Sequence, residues 1–236
     1  MKYYKTDSRK ISFREYWHIS PKGFWVAWLN KIRGIQMNFS RGMAEPQPLK
    51  TRMIESASIP REILEKLNSE VGDLQKIGFT QFWYWSNKHS LTGGVGYAAI
   101  GLHPSGQILA KVIYVYLKTR ERQVIALVSG FADGTTLSTT NKKREFNPPP
   151  RHTVQRKVGA GAEQLFKMHQ QKLAESSRTE KVLTLAGLDD MAAFEDKFIQ
   201  QGYDDKIKRG IWVEMSDAEV AALRARPAKA YMILPR

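Results

Sequence analysis

Between Gly94 and Asn141 four apolar runs follow one another, each separated from the next by a short turn and none with a helical period, which is the pattern of an antiparallel β-meander. His103-Pro104-Ser105-Gly106 sets a proline where φ is fixed at the start of a turn and a glycine where a left-handed residue can close it. Ala132-Asp133-Gly134-Thr135 repeats the device, and Thr119-Arg120-Glu121-Arg122 is a third, charged connection. The runs 108–117 and 124–128 are rich in β-branched and aromatic residues, as central strands require, and they supply the core.

The flanking stretches alternate in type. Residues 60–77 form a helix opened by Pro60 and closed by Gly78, with Ile63, Leu64, Leu67, Val71, Leu74 and Ile77 on one face. A strand is expected at 50–55, and an aromatic one at 79–85 leads into the meander. Pro148-Pro149-Pro150 cannot continue a strand and makes a stiff extended connector before a brief return to the sheet at 152–158. A helix over 161–174 turns Ala162, Leu165, Phe166, His169 and Leu173 inward. Residues 181–186 read as one more short strand, 188–209 as helix with Gly202 as an interruption, and Ser216-Asp217-Ala218-Glu219 as a capping box opening a last helix. The fold class is α+β: a meander sheet with the helices at 60–77 and 161–174 on one face and a helical C-terminal part. Three regions follow, an N-terminal arm (1–48), a helix-plus-sheet unit (49–158) and a C-terminal helical region of the same domain (159–236).

The arm carries the most distinctive surface chemistry. Residues 1–19 mix basic and aromatic side chains without a period and are expected to be irregular. Ser20-Pro21 is a helix-start signature for a helix to Ile35, on which Phe24, Trp25, Trp28, Leu29, Ile32 and Ile35 share one stripe, with Lys31 and Arg33 outside it. Glycines and prolines between 37 and 48 read as a linker.

Charge sharpens this. The net charge is +14, and all of it resides in two segments. Residues 1–58 hold eleven Lys/Arg against four Asp/Glu and residues 111–157 ten against three, whereas the remainder balances. Such clustering points to an anionic partner, either a membrane surface or nucleic acid. The chain has no cysteine, which excludes disulfides and thiolate metal sites and makes a cytoplasmic location the default. The five histidines never fall at metal-ligand spacing, so neither a metal nor a cofactor is expected. No serine sits in a nucleophile elbow, and no constellation assigns a reaction.

Two resemblances can be named on specific residues. Arg156-Lys157-Val158-Gly159-Ala160-Gly161 opens a helix with two cations and two glycines, and the spacing of Arg156, Gly159 and Gly161 is similar to the pyrophosphate loop of GNAT-type N-acetyltransferases. That resemblance implies an acyl-CoA held by backbone amides at these three positions. Over residues 59–178, the helix ending Leu74-Gln75-Lys76-Ile77-Gly78-Phe79, the two glycine turns and the proline stretch resemble bacterial proteins of unknown function, which carries over no activity. The expectation for function is a non-enzymatic basic protein that associates with an anionic membrane face through Phe24, Trp25, Trp28, Lys31 and Arg33. Nucleic-acid binding at Lys142, Lys143 and Arg144, acyl transfer, and a protein partner on residues 20–35 are the alternatives; nothing in the sequence sets the oligomeric state.

Overall fold

The computed structural model describes residues 1–19, 24–35, 42–88, 95–117, 120–176 and 181–225. In chain order the elements are β1 (Tyr3–Thr6), α1 (Phe13–Ile19), α2 (Phe24–Ile32), β2 (Met43–Ala44), the single turn α3 (Leu49–Arg52), β3 (Met53–Ile54), α4 (Arg61–Lys76), β4 (Gln81–Lys88), β5 (Val95–Leu102), β6 (Leu109–Leu117), β7 (Arg120–Gly130), β8 (Thr136–Thr140), β9 (His152–Arg156), α5 (Ala162–Ser176), α6 (Leu188–Lys208), β10 (Trp212–Glu214) and α7 (Asp217–Ala225). The fold is α+β. Strands β3 to β9 form a seven-stranded sheet in sequence order, antiparallel except for the last pair, and β10, β1 and β2 form a second sheet of three.

Both faces of the large sheet are buried, and side-chain alternation sorts its residues between them. Tyr97, Ala99, Val112, Tyr114, Ile125, Leu127 and Leu137 face α4 and α5, packing on Ile63, Leu67, Leu74, Leu165 and Phe166. Their neighbours Ala98, Ile100, Leu109 and Val128 face Met191, Ala192, Phe194 and Phe198 of α6. The strands therefore read as continuous apolar runs because neither face meets water. Helix α6 spans about 30 Å at the usual rise per residue, and Gly202 does not interrupt it. Its first half lies on the large sheet, and its second half, through Ile199 and Tyr203, packs on the small one beside Trp212.

Several expectations need correction. The last sheet pair is parallel, with Thr136 opposite His152 and Thr140 opposite Arg156, because the extended proline stretch carries the chain back along the sheet before β9 begins. Residues 50–55 are a helical turn followed by two strand residues, and 181–186 contribute a single bridge, Phe131 to Val182. The N-terminal nineteen residues are not irregular: β1 pairs with β10 and β2, and α1 follows. They are built into the body of the protein, since Ile11, Tyr16 and Ala27 pack with Tyr203, Ile211 and Trp212. The Ser20-Pro21 helix start and residues 37–41 of the expected linker lie outside the described residues, and residues 43–44 of that linker are strand β2.

Turn chemistry supports the meander as expected. Gly106 has φ +69°, and a Cβ there would meet the Leu185 carbonyl oxygen at 2.6 Å, so only glycine lets the 182–185 segment cross the β5–β6 turn. That segment is fixed by the Leu185 amide donating to the Gly106 carbonyl at 2.8 Å. The C-terminal capping box forms, with the Ser216 amide donating to Glu219 at 3.0 Å and the Glu219 amide to Ser216 Oγ at 3.3 Å.

The N-terminal segment is locked by one buried carboxylate. Glu15 is fully buried and accepts from Arg209 Nη2 at 2.6 and 2.7 Å, from the Asn147 amide at 2.8 Å, and from the amide and hydroxyl of Ser12 at 3.0 and 2.7 Å. Burial alone would raise its pKa, but these donors together hold it below the ordinary carboxylate value. Replacing Glu15 with alanine leaves Arg209 with Asp205 alone, at 3.3 Å, strips the Asn147 amide and Ser12 of their acceptor, and is expected to cost about 2–3 kcal/mol. Chemical denaturation would register this as a lower midpoint at unchanged slope, and a loss under 1 kcal/mol would refute the assignment.

Candidate surface-binding site

Helices α1 and α2 form a hairpin whose rings interlock: Trp17 on Phe24 at 5.2 Å, Phe24 on Trp25 at 5.4 Å, Trp25 on Trp28 at 5.7 Å and Phe13 on Trp28 at 6.3 Å between centroids. On α2 the inward positions are Ala27, buried, with Phe24, Trp28 and Lys31 half-buried beside it. Trp25, Leu29 and Ile32 point about a third of a turn away from that line and are 64%, 45% and 61% exposed, with Trp17 of α1 at 53%. The helix seats itself through Ala27 with Phe24 and Trp28 beside it, and keeps Trp25, Leu29 and Ile32 outside. Apolar surface of this kind on ordered helices is unusual for a chain that meets only water.

Lys31 has a different place from the one its sequence suggests. Its ammonium donates to the Ile11 carbonyl at 2.7 Å and to that of Arg9, and lies 5.4 Å from the Phe13 ring centroid, so it ties α2 to the turn before α1. Burial lowers its pKa. Arg33 is exposed and on the hairpin.

The triplet at 142–144 does not present three free cations. Lys142 pairs with Glu145 at 2.9 Å, Lys143 is exposed, and Arg144 is half-buried with Nη2 donating to Asn147 Oδ1 at 2.6 Å. Arg156 also departs from expectation. It shares the parity of His152, which stacks on Phe198 of α6 at 4.9 Å, so its side chain leaves the sheet on the α6 side while α5 covers the other. Gly159, with φ +81°, and Gly161 have open space around them at the α5 start. The loop and the arginine thus lie on opposite faces and do not assemble one cradle.

Two buried polar clusters were not legible as sites. Lys111 pairs with Glu195 at 2.9 Å and lies 4.4 Å from the Phe198 ring, while Arg52 stacks on Trp85 at 4.8 Å. Both fix α6 against the sheet. On the other face Ser129, His169 and Thr139 form a chain: Ser129 Oγ to His169 Nε2 at 2.9 Å and His169 Nδ1 to Thr139 Oγ1 at 2.9 Å. The chain extends at both ends, with Ser129 Oγ donating to the Gln107 carbonyl at 2.6 Å and Thr139 Oγ1 to Gln155 Oε1 at 3.1 Å, so it ties β7, β8 and β9 to α5. Ser129, His169 and Thr139 are sealed from solvent.

An open cleft of about 690 Å³ lies at the β5–β6 turn, lined by His103, Ser105, Gln107, Gln170, Lys181 and Thr184. His103 Nδ1 meets Ser105 Oγ at 2.9 Å and accepts the Ser105 amide at 3.3 Å, while its ring packs against Phe79 and Phe166. These contacts close the turn, and among the described residues no carboxylate lines the cleft. Among the described residues no three His, Cys, Asp or Glu side chains gather at metal-binding distance. Comparison of the chain with protein-family models, with characterised proteins and with solved structures finds no match.

His169 gives a pH signature. Burial pushes its pKa down to about 4, against about 6.5 in the unfolded chain. Above pH 6.5 both states are neutral at this residue and it contributes no pH dependence. As pH falls from there through 4 the unfolded chain gains a proton that the folded chain refuses, and about 3 kcal/mol of stability is lost. His169→Gln should flatten the stability profile across that window; parallel wild-type and variant profiles would contradict the buried neutral ring.

Proposed function

We propose that the protein binds an anionic membrane surface peripherally, with the α1–α2 hairpin lying in the headgroup layer of a cytoplasmic leaflet. The observation that carries this reading is the outward placement of Trp17, Trp25, Leu29 and Ile32 on a hairpin whose opposite side is already packed. Each such side chain is worth about 1.5–3 kcal/mol when fully buried. A helix at this depth buries one face only, and here that face is free. Arg14 on α1 and Arg33 in the turn that follows α2 are exposed, and each cation near an anionic leaflet adds about 1 kcal/mol. Indole rings favour the interface because they join an apolar body to a polar N–H. Insertion would be shallow, as no described helix is long and apolar enough to cross a membrane.

The test is flotation of the full chain with phosphatidylcholine vesicles, alone and doped with phosphatidylglycerol, with oligonucleotide as competitor. Wild type should float with the doped vesicles at low salt and resist displacement by nucleic acid. Trp25→Glu with Ile32→Glu should abolish flotation and lower the thermal midpoint by only a few degrees, because neither side chain belongs to the buried cluster beneath the hairpin and Trp25 loses only its edge contacts with Phe24 and Trp28. Wild-type protein that stays at the bottom of the gradient would end the membrane reading. Displacement by oligonucleotide would favour nucleic acid instead, and a change of oligomeric state in the double variant would favour self-association.

A further inference from the structure

Arg144 and Arg156 occupy an arrangement that the fold alone does not explain. Arg156 ends β9 opposite Thr140, and Arg144 lies four residues beyond Thr140, where the Lys142 amide donates to Thr140 Oγ1 at 3.1 Å and turns the chain. Arg144 is then drawn toward α1 by a relay, since its Nη2 donates to Asn147 Oδ1 and the Asn147 amide donates to Glu15. One turn further along α1 stands His18, half-buried, with Arg14 exposed on the same helix. Both guanidinium groups are half-buried with Nε sealed from solvent and without an acceptor, and among the described residues neither forms an ion pair and none accepts from the terminal nitrogens of Arg156. Glu145 is the carboxylate nearby, and it is engaged by Lys142. The charges feel one another: Arg156 is lowered by burial and then by Arg144, against a smaller opposing pull from Glu145, and His18 is lowered by burial and then by Arg144, Arg14 and Arg156. Gathering like charges and leaving donors unsatisfied costs stability unless an anion completes the group.

We propose that Arg144 and Arg156, with His18 and Arg14 at the rim, form a binding site for a phosphomonoester group. A monoester presents three terminal oxygens and a charge of about −1.5 to −2, which suits two forked guanidinium groups better than the single charge of a diester. Because the site adjoins α1, a lipid headgroup such as that of phosphatidic acid can reach it while the hairpin lies in the surface; to that extent the lipid source rests on the membrane reading. A free phosphomonoester has the same chemistry and needs no membrane.

Two arms separate these sources. In the first, the thermal midpoint of the full chain is followed in inorganic phosphate against chloride at equal ionic strength. Wild type should show a saturable rise at millimolar phosphate, which bulk salt exclusion does not give, and Arg144→Gln and Arg156→Gln should each abolish it. Should a glutamine variant fold poorly, Arg144→Lys and Arg156→Lys keep the charge without the fork and should lose most of the shift. In the second arm, flotation on phosphatidic acid vesicles is compared with phosphatidylglycerol vesicles of matched surface charge. A preference of about tenfold that vanishes in the arginine variants supports a lipid headgroup. A phosphate shift without that preference supports a soluble phosphomonoester. Absence of a saturable shift in wild type overturns the site, even if the protein floats on phosphatidylglycerol.

Discussion

A single buried carboxylate ties together three parts of the chain that are distant in sequence. Glu15 gathers donors from its own helix, from the proline-rich connector at Asn147 and from Arg209 at the end of α6. An ionised group sealed from water is tolerated only when its oxygens are fully satisfied, so the three segments must arrive in one geometry or not at all. This is why α1 and α2 have a fixed pose despite their modest packing. The aromatic surface they display is therefore a property of the whole fold.

The three-layer body follows from simpler physics. Alternating side chains on seven strands give two apolar faces, and the two helices of one face and the long α6 on the other cover them. The polar groups enclosed within are paired across elements: Lys111 with Glu195 on one face, Ser129 with His169 and Thr139 on the other. Such pairs add little net stability, but they penalise any sliding of α5 or α6 that would separate them.

Much of this was legible in the sequence. The meander, the helices at 60–77, 161–174 and 188–209 and the C-terminal capping box were readable because turn residues and periodicity are local signals. What was missed depends on contacts distant in sequence. β1 is four residues long and acquires strand geometry by pairing with β2, about forty positions away, and with β10, more than two hundred positions away. The parallel β8–β9 pair is set by where the proline stretch returns the chain. One local signal was available: Ser12-Phe13-Arg14-Glu15 is itself a capping box, and the Glu15 amide donates to Ser12 Oγ at 3.3 Å. The apolar stripe on α2 was found, but sequence could not say which of its members turn outward, because Ala27 and Lys31 supply the packing. Arg144 and Arg156 looked like parts of two unrelated motifs, twelve residues apart, and only the sheet register brings them near each other.

The pairing of β1 with β10 bears on how the protein is made. Tyr4 lies opposite Glu214 and Thr6 opposite Trp212, and the floor beneath the hairpin is Tyr203, Ile211 and Trp212. During synthesis the hairpin sequence emerges early, whereas the residues that will support it are among the last of the described chain to be joined. Until then Tyr16 and Ala27 have no cover, and both sides of the hairpin are apolar. A nascent chain in that condition adheres to the nearest hydrophobic surface, whether chaperone or bilayer. The chain thus carries an uncovered apolar hairpin face through most of its own translation, and completion of β10 is the event that covers it.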